Sequence, residues 1–98
     1  MSLANINYMM NMTKKFLDGK INDIDYTLDF PYELEKRYNK MHREDEDYCE
    51  LIYECLYEEG ICEYDSLSES EFKKLIKEQY NYINILVENC YLYFVILI

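Results

Sequence analysis

His42 is the only imidazole among the 98 residues, so histidine-based acid–base or nucleophilic chemistry has one place to occur. It stands between Lys40, Arg43 and Glu44, where a charged ring near a helix C-terminus is favoured by the helix dipole, and nothing else in the sequence marks it as catalytic. The four cysteines, Cys49, Cys55, Cys62 and Cys90, contain no C-x-x-C pair of the kind that grips zinc. Cys55 keeps phase with Tyr48, Leu51 and Ile52, which gives it the role of a small buried hydrophobe. The run "EDED" lacks the alternating ligands and central glycine of a calcium loop, and Gly19 and Gly60 lie 41 positions apart, too far to form a phosphate cradle. No catalytic residue, metal or cofactor is expected, and the chain reads as non-enzymatic.

The remaining chemistry is electrostatic, and it is localised. Residues 1–43 carry six acids and seven bases, residues 44–72 twelve acids and no base, and residues 73–98 two acids and three bases. The whole net charge of −10 therefore originates in the middle third. If "REDEDYCELIYECLYEEG" is a helix with Tyr48, Leu51, Ile52, Cys55 and Leu56 inward, then Asp47, Glu50, Glu54 and Glu58 stack along the opposite ridge. Like charges at that spacing cost a few tenths of a kcal/mol each in an isolated helix, so the fold alone does not ask for them. Tyr53 and Tyr57 flank the ridge, and Glu59, Glu63, Tyr64, Asp65 and Glu69 carry the acidity onward. Rigid aromatics beside carboxylates suit an interface that steers a cationic partner. The plain alternative is a solvated face that promotes solubility.

Charge of this sign repels phosphate, which disfavours direct binding to nucleic acid or to an anionic membrane and favours a basic protein surface. The start of the chain lacks a basic region followed by an apolar one, and the cysteines show no disulfide framework, so a reduced, cytoplasmic protein is expected. The apolar tail from Tyr91 to Ile98 is eight residues, against the roughly twenty that a bilayer span needs, and is expected to be a helical core segment.

One domain and an all-α fold follow from the elements that must hold the acidic ridge. Ile6, Met9, Met10, Thr13, Phe16 and Leu17 define a first helix over residues 5–18, stopped by Gly19. Asn22 or Asp23 caps a second, with Ile24, Leu28, Leu34, Tyr38 and Met41 inward and a break or kink near Phe30 imposed by Pro31. The third helix opens on Glu44 to Asp47 and ends at Gly60. Ser68 and Glu71 form a capping box for a long fourth helix from residue 69, on which Tyr80 and Tyr82 fill the core. The expected architecture is an antiparallel four-helix bundle with a kinked or broken second helix.

The segment "KFLDGKINDIDYTLDFPYELEKRY" resembles the start of the colicin D immunity family of small bacterial toxin-immunity proteins, through Phe16, Leu17, Gly19, Ile21, Asn22, Asp25 and Tyr26. "SESEFKKLIKEQY" is similar to that family's acidic lead-in to its final helix. The resemblance implies a four-helix bundle that neutralises a cognate toxin, often a tRNA-cleaving nuclease domain, by covering its basic cleft with an acidic surface. Pro31, the tyrosine excess and the apolar C-terminal extension depart from the family's pattern. The matched residues are structural, and it is the charge pattern that makes Asp47, Glu50, Tyr53, Glu54, Tyr57, Glu58, Glu59, Glu63 and Asp65 the residues expected to meet the toxin, with the chain a monomer or a homodimer. The rivals are a nucleic-acid mimic that blocks a DNA-binding protein, for which a third helix of about 20 Å is short, and a small helical subunit whose tail docks into an oligomer.

Overall fold

The computed structural model describes the backbone of residues 2–97 and the side chains of residues 2–89. The chain is all-α: α1 spans Ala4–Leu17, α2 Asp23–Glu44, α3 Glu46–Leu51 and α4 Glu69–Leu97, with a π-helix over Ile52–Glu58 and a 3₁₀ helix over Ile61–Ser66 between the last two. Among the described residues there is no strand, and no helix is long and apolar enough to cross a membrane.

Each end of α1 is tied down by its sequence. Gly19 takes φ +79°, and the amides of Gly19 and Lys20 donate to the carbonyls of Phe16 and Lys15, closing the helix with a left-handed residue as the glycine foretold. At the other end the Glu44 carboxylate, reaching back from the end of α2, accepts from the backbone amides of Asn5 and Ile6 and from Asn5 Nδ2. An orphan helix terminus is thus capped by a residue 38 positions away.

Asn22 caps α2 by accepting from the Asp25 amide at 2.8 Å. The helix runs as one element through Pro31, so of the expected break or kink the break does not occur. The proline still leaves the Thr27 carbonyl without its helical donor, but burial of Tyr26 and Phe30 before it, and of Leu34 and Met41 after it, holds both halves against one core. The same aromatic residues correct the predicted face: Ile24 and Leu28 are 59% and 67% exposed. Residues two positions apart lie on nearly opposite sides of a helix, and the larger rings at 26 and 30 take the inside. Tyr26 stacks on Phe16 with centroids 4.5 Å apart and planes 4° from parallel, while Phe30 and Phe72 tilt against it.

Ser68 and Glu71 form the capping box reciprocally: the Glu71 amide donates to Ser68 Oγ at 3.2 Å and the Ser68 amide donates to Glu71 Oε1 at 2.9 Å. Phe72, Ile76 and Ile83 project from α4 into the core. Tyr80 is half-buried, but Tyr82, also expected inside, is exposed. The helical backbone through Leu97 agrees with the helix expected for the tail, whose core role falls outside the described side chains.

Candidate partner-binding surface

The third helix is assembled differently from the single α-helix expected over residues 44–60. Asp45 is extended and accepts from the Tyr48 amide at 3.1 Å, which separates α2 from α3 and makes this carboxylate a cap. After one and a half turns the chain widens into the seven-residue π-helix, closed by Glu59 N–H donating to the Glu54 carbonyl five residues back. Ile52, Cys55 and Leu56 are buried as expected, and so is Cys49, whose thiol contacts the Tyr38 carbonyl at 3.8 Å. Gly60 ends the segment where a side chain has no room: a Cβ would stand 2.5 Å from the Leu56 carbonyl oxygen and 2.8 Å from Ile76 Cδ1.

Asp47, Glu50, Glu54 and Glu58 all face solvent, as do Glu59, Glu63 and Asp65. Among the described residues no lysine or arginine forms an ion pair with any carboxylate of residues 45–71; the one basic side chain against them is His42, whose Nε2 lies 3.6 Å from Glu46 Oε1 and 3.8 Å from Glu50 Oε1. His42 is therefore not solitary at its helix end, and its ring also stacks against Tyr38. A nitrogen and two carboxylate oxygens within 4.8 Å of one another are ligand types that a divalent cation accepts, but all three side chains are open to water.

Several acids of the middle block are occupied structurally. Burial disfavours the ionised Glu44, but the amides of Ile6 and Asn5, the Asn5 side chain and the Arg37 charge outweigh it and hold the carboxyl below its ordinary value. The Tyr64 hydroxyl donates to Asp23 at 2.6 Å while its ring meets Phe72 edge-on, fastening the 3₁₀ helix to α2 and α4. That bond lowers the Asp23 carboxyl and pushes the Tyr64 phenol up to about 12.

Some of the predicted site residues divide between two grooves. Tyr53 and Tyr57 line the first, of about 940 Å³, with Pro31, Tyr32, Leu34, Glu35, Tyr38 and Asn39 from α2. Tyr53 meets Tyr38 edge-on at 5.8 Å and Tyr57 at 5.5 Å, so three phenols form one continuous wall. Burial, then Cys49 and Glu50, with smaller contributions from Tyr53 and Glu46, raise the Tyr38 phenol. Glu58, Glu59 and Glu63 line the second groove, of about 580 Å³, with Glu71 and Glu78 and a single cation, Lys74. Asp47, Glu50, Glu54 and Asp65 line neither groove and stand on the open surface. Tyr32, Glu35 and Asn39 were not anticipated. The signal for them lay in the Ile24, Leu28, Tyr32 series, which the aromatic burial of α2 turns outward.

Searches against protein-family models, curated proteins and solved structures return no match to the chain.

Proposed function

We propose that the protein is a non-catalytic inhibitor, an immunity protein that binds and neutralises a basic bacterial nuclease toxin in the cytoplasm. The observation that carries this reading is the run of acids at residues 46–65 projecting into water with no lysine or arginine ion-paired to them among the described residues. Maintaining such a ridge opposes folding slightly, so its retention is explained by an external cation. The aromatic groove beside the ridge favours a protein partner over a pure phosphate mimic, because phenol walls supply contact area for side chains at low entropy cost. The resemblance to the colicin D immunity family points in the same direction and implies a tRNA-cleaving domain as the target. The carboxylates would occupy the cleft that normally receives RNA phosphates, excluding substrate by competition.

The test is protection in cells. Co-expression with the cognate nuclease toxin, to be sought in the reading frames flanking this chain, should restore growth, and the Glu50→Lys, Glu54→Lys, Glu58→Lys triple variant should fail to do so while remaining folded by circular dichroism. Full protection by the triple variant would remove the assigned surface.

A further inference from the structure

The groove between α2 and the π-helix combines aromatic walls with an acidic lining residue. Its walls are Tyr32, Tyr38, Tyr53 and Tyr57, and one acid, Glu35, lines it directly, without an ion-pair partner among the described residues. Its lining contains no lysine, arginine or histidine. Among the described residues no lysine or arginine stands over any of these four rings, of which Tyr38 meets the His42 ring, whereas on another side of α2 the Arg37 guanidinium lies 3.6 Å above the Tyr8 ring. The groove volume of about 940 Å³ falls in the range of ligand-sized clefts, enough for a side chain together with its backbone.

We propose that this groove is an arginine-binding subsite, which seats a guanidinium of the partner against the phenol faces with Glu35 as its counter-charge. The proposal deepens the inhibitor reading and rests on it for the identity of the partner, but not for the chemistry. A tyrosine face attracts a cation through its quadrupole, and a guanidinium stacks flat on such a face while an ammonium cannot. The Glu35 carboxylate supplies acceptors for the guanidinium N–H groups that project beyond the rings. The second groove differs in kind: it is walled by carboxylates over Leu67 and Leu75, has no aromatic residue and already contains Lys74, so it attracts cations without distinguishing arginine from lysine.

The test uses the intact protein with hexa-arginine and hexa-lysine peptides, followed by calorimetry and by NMR of the tyrosine rings. The arginine peptide should bind about three- to fivefold more tightly, with the ring signals of Tyr32, Tyr38, Tyr53 and Tyr57 moving. Tyr53→Leu should abolish that preference and leave the lysine peptide's affinity unchanged, which also shows that the variant is folded. Equal affinity of the two peptides, a preference that survives both Tyr53→Leu and Tyr38→Leu, or ring signals that stay still on binding would overturn the proposal. Because neither peptide involves a toxin, failure to protect cells alongside an intact arginine preference would dismiss the nuclease partner and keep the subsite.

Discussion

Removing Glu44 and removing the ridge carboxylates should have opposite consequences for stability, although both belong to the same acidic run. In Glu44→Ala, the amides of Asn5 and Ile6, now bonded at 2.9 Å each, and Asn5 Nδ2, bonded at 2.7 Å, lose a charged acceptor at the start of α1. Loss of a helix N-cap costs about 0.5–2 kcal/mol, and charge-assisted bonds lie toward the upper end, while partial exposure of Glu44 screens part of the gain. A loss of about 2 kcal/mol is expected, read as a urea midpoint lower by roughly 1–2 M for a domain of this size. Glu50→Gln, Glu54→Gln and Glu58→Gln together relieve like-charge contacts and should leave the midpoint unchanged or raise it slightly. The pH dependence carries the same signature. Because the folded-state pKa of Glu44 is depressed, its contribution is complete above the ordinary value of 4.5 and is lost as pH falls through the lowered one, so wild type and Glu44→Ala should converge in acid. A Glu44→Ala midpoint equal to wild type at neutral pH, or a triple variant that falls as far, would refute this division of the acidic block.

The buried Tyr26 hydroxyl shares a 2.8 Å hydrogen bond with Thr13 Oγ1, which also reaches the Met9 carbonyl, so Thr13→Val should cost about 1–3 kcal/mol in urea unfolding and Tyr26→Phe less, because Thr13 keeps Met9. The Tyr64→Phe change removes the hydroxyl that lowers Asp23, and NMR titration should find its carboxyl returned toward 3.8; the stability it contributes through Asp23 exists above that value and fades below it. Among Cys49, Cys55 and Cys62, only the exposed Cys62 should be alkylated in the native state, since both others are buried and burial pushes the Cys49 thiol up to about 11; peptide mapping before and after denaturation checks this.

The parts of the fold written in local chemistry were legible. The Gly19 stop, the Asn22 cap and the Ser68–Glu71 box each depend on residues within three or four positions of one another, and all three stand where the sequence put them. What depended on competition between faces was not. Ile24 and Leu28 fit a helical stripe as well as Tyr26 and Phe30 do, and only the stack of Phe16 on Tyr26, between different helices, decides which pair is buried. That one reversal brings Tyr32 and Glu35 outward and builds half of the tyrosine groove. The carboxylate ridge was legible because every residue on it is charged and has no apolar rival for the same position. The structural roles of Glu44 and of Tyr64 were not, since their partners, Asn5 and Asp23, lie 39 and 41 residues away.

The central claim is that the acidic face of α3 and the π-helix exists to meet a cationic protein, and titration calorimetry of the chain against the basic toxin domain proposed as its partner tests it most directly. Wild type should bind at one-to-one stoichiometry with an affinity that weakens as salt rises, and the Glu50→Lys, Glu54→Lys, Glu58→Lys variant should lose at least about 100-fold. Binding by that variant as tight as wild type, with no dependence on salt, would contradict the account.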